Sequence, residues 1–122
     1  MVLNADSISL ALYGGDKPVF SDISLELGEG EIALAAGESG SGKTVLGLTL
    51  CGFLPIWAGS WKLHGRIEFL GESLTQGDTP REIGIILENP YTQLSGIKRN
   101  VRQELAFPLE CRGFNPEDMI SP

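Results

Sequence analysis

Apolar residues return at every second position in two early stretches. Ile8, Leu10 and Leu12 alternate with Ser7, Ser9 and Ala11, and Ile23, Leu25 and Leu27 alternate with Ser24 and Glu26. Period two marks a strand with one covered face. Gly14-Gly15-Asp16-Lys17-Pro18 breaks the chain between them, so the pair predicts an N-terminal antiparallel β-hairpin. After a turn at Gly28-Glu29-Gly30, Ile32-Ala33-Leu34-Ala35-Ala36 is apolar throughout, which predicts a strand buried on both faces. From Lys43 the period lengthens. Leu46, Leu50 and Leu54 recur at i, i+4 and i+8, and Val45, Leu48 and Phe53 widen the stripe. This predicts a mostly buried helix ending near Gly52, with Pro55 blocking its continuation.

Trp57 and Trp61 follow in a Gly-rich connector and read as packing residues, and His64, the only histidine, reads as a solvated loop residue. Arg66-Ile67-Glu68-Phe69-Leu70 alternates again before a turn at Gly71-Glu72, and residues 75–80 form a polar loop. Ile83-Gly84-Ile85-Ile86-Leu87 is a second all-apolar run, as expected of a central parallel strand. Ile97, Val101 and Leu105 share a helix face with Lys98, Arg99, Arg102 and Glu104 off it, and Pro108 is expected to stop that helix after Phe107. Asn115 before Pro116-Glu117-Asp118 predicts the N-cap of another helix. Strands and helices mixed in this order place the chain in the α/β class.

The 122 residues suffice for one small domain with a real core. Nine basic against 16 acidic residues give a net charge of −7, which argues against a nucleic-acid partner, since such domains carry a basic patch. Residues 44–61 carry no charge over 18 positions, but Pro55, three glycines and several hydroxyls interrupt them, so a membrane span is not expected. Cys51 and Cys111 lie far apart and read as reduced thiols of a cytosolic protein. The first six residues have no basic region of the kind that opens a signal peptide.

Candidate chemistry sits between the first apolar run and the first helix. Gly37-Glu38-Ser39-Gly40-Ser41-Gly42-Lys43-Thr44 fits G-x-x-x-x-G-K-[ST], the phosphate-cradling P-loop. A nucleoside triphosphate is a dense cluster of negative charge. Holding it takes many backbone N–H groups turned toward one point, which Gly37, Gly40 and Gly42 permit. The helix that follows offers its unpartnered first N–H groups and the positive end of its dipole. Lys43 adds a full charge for the β- and γ-phosphates, and the Thr44 hydroxyl suits Mg2+. Two other residues stand out by position. Tyr13, at the end of the first strand, is either a surface aromatic or a platform for a base. Glu88 lies where Ile83–Leu87 ends, and ligands bind at that end of strands in open α/β sheets.

The order of these features resembles the N-terminal half of the ATP-binding subunit of ABC transporters. The matching pieces are Tyr13, then Pro18-Val19-Phe20-Ser21-Asp22-Ile23-Ser24-Leu25, then Gly30-Glu31-Ile32-Ala33-Leu34, then the P-loop, then Ile85-Ile86-Leu87-Glu88-Asn89-Pro90-Tyr91-Thr92-Gln93-Leu94, which looks like the family's Q-loop. With Val101 and Glu104-Leu105-Ala106-Phe107 behind it, the pattern is most similar to ATPases of energy-coupling-factor importers. The resemblance implies a P-loop NTPase core of the ABC ATPase kind, with an N-terminal antiparallel β-hairpin and incomplete at the C-terminus. It implies ATP and Mg2+ as cofactors, held by Tyr13 on the adenine, by residues 37–44 on the phosphates, and by Thr44 and Glu88 on the metal. It also implies a transmembrane coupling subunit, a second ATPase subunit in a homo- or heterodimer, and a place on the cytoplasmic face of the membrane.

Two departures bear on activity. The family has glutamine where this chain has Glu88, which keeps the shape and an oxygen for Mg2+ but adds negative charge near the γ-phosphate. An alternative assignment of Ile85–Glu88 as a Walker-B-like strand fits less well, because Asn89-Pro90 and Gln93-Leu94 follow as in a Q-loop. The Leu-Ser-Gly-Gly-Gln-type signature, the strand ending in Asp-Glu and the switch histidine of the family do not occur, Leu94-Ser95-Gly96 being a partial look-alike only. Residues 1–122 are therefore expected to be the N-terminal portion of an ABC-type ATP-binding domain, binding MgATP with little or no hydrolysis and with no complete catalytic set. The faces of Ile32–Ala36 and Ile83–Leu87 are expected to be partly uncovered. A non-catalytic regulatory module is the main alternative. A small P-loop kinase or GTPase is a weaker one, since no guanine-reading Asn-Lys-x-Asp occurs.

Overall fold

Four antiparallel strands carry the first of two units in the computed structural model, which describes residues 1–12, 14–54, 61–74 and 80–119. The units are Met1–Ile85 and Ile86–Pro122. Strands β1 (Leu3–Leu12), β2 (Pro18–Leu27), β3 (Trp61–Phe69) and β4 (Glu72–Ser73) form one sheet in the order β2-β1-β3-β4. The core lies against β1 and β3, where Ala5, Ile8, Leu10 and Ile67 are buried together with Phe20, Leu54 and Leu74. β3 starts earlier than the alternation of 66–70 suggested, so His64 is an exposed strand residue and not a loop residue, and Trp61 opens the strand.

Three slips interrupt the ladder. From Ala5 to Ile8 β1 advances by three residues while β2 goes only from Leu25 to Ile23, and the same stretch of β1 slips against β3 between the pairs Asp6↔Arg66 and Ser9↔His64. Ser7, at φ 47°, is the extra residue of this bulge. A one-residue slip moves side chains to the other face, which is how Ala5 and Ile8 both reach the core. The plain alternation put Leu12 inside; it is 49% exposed. β2 carries the other two bulges. Asp22, at φ 52°, is extra between Ile23 and Phe20, and Val19 is extra between Phe20 and Pro18, which pair with Leu10 and Ala11.

Helix α1 (Lys43–Leu50) follows the P-loop stretch. Its Val45, Leu46, Leu48 and Leu50 are half-buried against the sheet core, less covered than their stripe implied. Thr49 is fully buried and donates its hydroxyl to the Val45 carbonyl at 2.7 Å.

The two all-apolar runs do not form strands. Ile32 is 96% and Leu34 91% exposed, and Ile86 is 88% exposed. Apolar content predicts burial, but a strand exists only through a ladder with a neighbour, and none of the four strands pairs with either run.

In the second unit, Pro90–Gln93 forms one 3-10 turn and α2 spans Val101–Cys111. α2 departs from expectation at both ends. It starts at Val101, because Asn100 caps it by accepting from the Gln103 N–H at 2.9 Å, while both carboxylate oxygens of Glu104 hold the N–H and hydroxyl of Ser95 and so keep residues 95–97 outside the helix. Pro108 does not end it. A proline removes one helical N–H, and the last turn closes around it, with the Arg112 N–H donating to the carbonyls of Pro108 and Leu109. Residues 116–119 form a turn rather than the expected helix, with the Asp118 N–H donating to Asn115 O at 3.0 Å. No helix among the described residues is long and apolar enough to cross a membrane.

Cys51 and Cys111 are both free thiols, the first half-buried at the end of α1 and the second exposed. Burial pushes the Cys51 thiol up. The folded chain thus holds that proton more tightly than the unfolded chain. This contribution to stability is complete below the unfolded thiol's pKa and is lost as pH rises through the folded one. Iodoacetamide at pH 8 is expected to modify Cys111 about tenfold faster than Cys51, read by mass spectrometry; equal rates would contradict the burial of Cys51.

Candidate functional site

Residues 37–42 leave the exposed apolar run and turn back into α1. Their geometry depends on left-handed backbone. Gly42 takes φ 95°, ψ 12° and is the N-cap of α1. A Cβ at Gly42 would lie 3.1 Å from Val19 Cγ1 and 3.3 Å from the Val19 carbonyl oxygen, so neither the torsion nor the space admits another residue easily. The Ser41 N–H closes a turn on the Glu38 carbonyl at 3.2 Å.

No side chain caps α1, and no acidic residue stands in its first turn. Its first N–H groups lack partners within the helix by construction, and its positive end faces the loop. Lys43 extends along that loop. Its Nζ donates to Gly37 O at 2.7 Å, Glu38 O at 2.6 Å and Ser41 Oγ at 3.2 Å, which uses all three ammonium donors. Thr44 is exposed in the first turn of α1. Glycine at the tight positions, an uncapped helix start and a lysine laid across the loop suit an oxyanion cluster such as a triphosphate. Mg2+ fits the same set, since it keeps water and phosphate oxygens and needs only one or two protein oxygens, of which the Thr44 hydroxyl is one. Beside the loop lies a pocket of about 200 Å3 lined by Phe20, Ile23 and Leu46 together with Ser41, Gly42 and Lys43.

Gly37, Glu38, Ser39, Gly40, Ser41 and Gly42 form this loop, and Lys43 and Thr44 open α1 directly after it. Tyr13, the candidate adenine platform, lies outside the described residues. Glu88 belongs to the second unit, exposed, at the entry to the 3-10 turn. The segment after it closes on itself. Asn89 accepts from the Tyr91 N–H at 3.3 Å, Thr92 donates to Asn89 O at 2.7 Å, and Gln93 Oε1 accepts from the Leu87 N–H at 3.1 Å. Gln93 therefore shapes this segment as much as position 88 does, a role that only its place in the Q-loop-like run signalled. A pocket of about 890 Å3 runs along α2 and is walled by residues such as Val101, Leu105, Leu109 and Met119; it has none of the backbone donors of the loop.

Comparison with known proteins gives the family of the chain. The sequence profile described as ABC transporter matches residues 20–113. A protein of Synechocystis sp. named as an ABC transporter ATP-binding protein is 35% identical, over 85% of this chain and 34% of its own length. The energy-coupling factor transporter ATP-binding protein EcfA1 of Mycoplasma pneumoniae is 32% identical, over 98% of this chain and 44% of its own. EcfA1 of Bacillus licheniformis is 34% identical, over 86% and 36%. The chain thus spans less than half the length of these relatives. No solved structure matches. The profile covers the P-loop, α1, the strands β3 and β4 and α2 alike, and with that extent of agreement the chain belongs to the ABC transporter family, as an ATP-binding domain of the P-loop NTPase type.

Proposed function

We propose that this chain binds MgATP through Gly37–Thr44 and acts as the ATP-binding part of an importer ATPase of the energy-coupling-factor kind, with little or no hydrolysis of its own. The observation that carries the reading is Lys43, held across its own loop at the start of an uncapped helix. An incoming phosphate chain accepts from the first-turn N–H groups of α1 and draws Nζ off at least one of its present acceptors. Ser41 Oγ, the longest of the three at 3.2 Å, is the one released most easily. Thr44 would hold Mg2+, which when bound would supply charge neutralisation for the phosphates. The family resemblance assigns Tyr13 to the adenine and Glu88 to the metal. The chain works at the inner face of the cell membrane with a transmembrane coupling subunit and a second ATPase subunit, a reading supported by relatives named as ATP-binding proteins of transporters.

Equilibrium titration of the chain with ATP, with and without Mg2+, tests this. Saturable binding strengthened by Mg2+ is expected, and Thr44→Ala is expected to remove the Mg2+ enhancement while leaving metal-free binding unchanged. Absence of saturable binding, or steady turnover of ATP that Lys43→Ala abolishes, would overturn the reading.

A further inference from the structure

The bulge at the start of β2 lies beside the phosphate loop, and we propose that its extra residue, Val19, positions that loop for the nucleotide. The proposal rests on the nucleotide-binding reading of Gly37–Thr44. Phe20 pairs with Leu10 and Pro18 with Ala11, so Val19 has no place in the β1–β2 ladder. A bulged residue is free of the alternation that fixes its neighbours, and such residues aim side chains at sites. This one meets Gly42. The space a Cβ would take there is bounded by Val19 Cγ1 at 3.1 Å and by the Val19 carbonyl at 3.3 Å.

Gly42 is the hinge of the cradle, because its left-handed φ turns the loop into the first turn of α1 and thereby orients Lys43 and Thr44. The pocket lined by Phe20, Ile23 and Leu46 also reaches Ser41, Gly42 and Lys43, so Val19 meets Gly42 at the border of open space. Val19 is packed against the sheet core on one side, through its neighbour Phe20 and the Leu10 pair, and against the loop on the other. Its β-branched side chain has few rotamers, which makes it a stiff spacer. Val19 is thus a positioning residue, acting on the phosphates through Gly42.

The test compares the full chain with Val19→Ala and Val19→Thr. Two readings are taken: affinity for MgATP, and amide hydrogen exchange at residues 42–46 without nucleotide. Val19→Ala is expected to bind MgATP about tenfold more weakly, as displaced contact geometry does, with faster exchange at 42–46 and unchanged exchange in β1 and β3. Val19→Thr keeps both branches and is expected to restore affinity and exchange together. If the wild-type chain binds MgATP and Val19→Ala binds it equally well, the positioning role is overturned alone. Loss of β1 and β3 protection in Val19→Ala without recovery in Val19→Thr would mark Val19 as a fold residue and also overturn it. A wild-type chain that binds no nucleotide overturns the underlying reading and this one with it.

Discussion

Replacing Gly65 with alanine is expected to destabilise the first unit by about 4 kcal/mol, a strain of ~1–2 plus overpacking of ~1–3. Gly65 sits in β3 at φ 87°, opposite the Ser7 bulge of β1. A Cβ there would lie 2.5 Å from Ser7 O, 2.6 Å from Asp6 O and 2.8 Å from Ile8 Cα. All three are backbone atoms, so no rotamer change relieves the overlap. Either β3 moves away from β1 or the bulge unwinds, and both disturb Ile8 and Ile67, which are almost completely buried. Small domains hold only ~5–15 kcal/mol in total, so the variant is expected to be largely unfolded at mild denaturant concentrations. Gly71→Ala separates the two causes. Gly71 has φ 84° and open space where its Cβ would go, so it carries strain alone and should lose only about 1 kcal/mol. Urea unfolding followed by circular dichroism measures both, and equal midpoints for the two variants would show that the close approach at Gly65 is not what matters.

Lys43→Ala is expected to weaken MgATP binding at least ~100-fold, the equivalent of about 3 kcal/mol for one or two lost charge-assisted hydrogen bonds. The variant also frees the carbonyls of Gly37 and Glu38, which now share the ammonium. These lie in an exposed loop, where water replaces the lysine, so the unfolding midpoint should stay near that of the wild-type chain. Lys43→Arg is not expected to rescue binding, because a planar, longer fork does not reproduce a compact ammonium at two converging carbonyls. The measurement is the same titration used for the wild-type chain. Wild-type affinity in Lys43→Ala would remove the loop from the binding site.

Much of the phosphate loop was readable from the sequence, because its chemistry is local. Three glycines, a lysine and a hydroxyl at fixed spacing, ahead of a helix, specify backbone conformations and one cation with little help from the rest of the chain. The strands of the sheet were half readable. Alternation located β1 and β2, but it carries no sign of an extra residue, so the slips at Ser7, Asp22 and Val19 and the burial of Ala5 were invisible. The apolar runs 32–36 and 83–87 misled for a different reason. Composition reports what a segment is suited to bury, whereas strand formation depends on a neighbour, which is a property of distant residues. α2 shows the same contrast at short range. Pro108 reads as a stop, yet a single missing N–H is tolerated when the following turn closes, and the true start is set by Asn100 and by the reach of Glu104 back to Ser95.

The bulges of β2 have one more consequence, for encounters between copies of the chain. β2 is an outer strand of the sheet, and its free side presents an interrupted row of backbone groups beside exposed Asp22 and Glu26. An irregular, acidic edge is a poor template for strand addition from another molecule. Ile32–Ala36 has no such irregularity. It is five uncharged apolar residues, two of them almost fully exposed, and what guards it is the acidic residues Glu29, Glu31 and Glu38 at its ends together with a net charge of −7. Repulsion of that kind acts through solvent and fades within ~10 Å at 0.1 M salt. The sheet edge is therefore protected by shape at any ionic strength, while the approach to the phosphate loop is protected by charge and becomes sticky as salt rises.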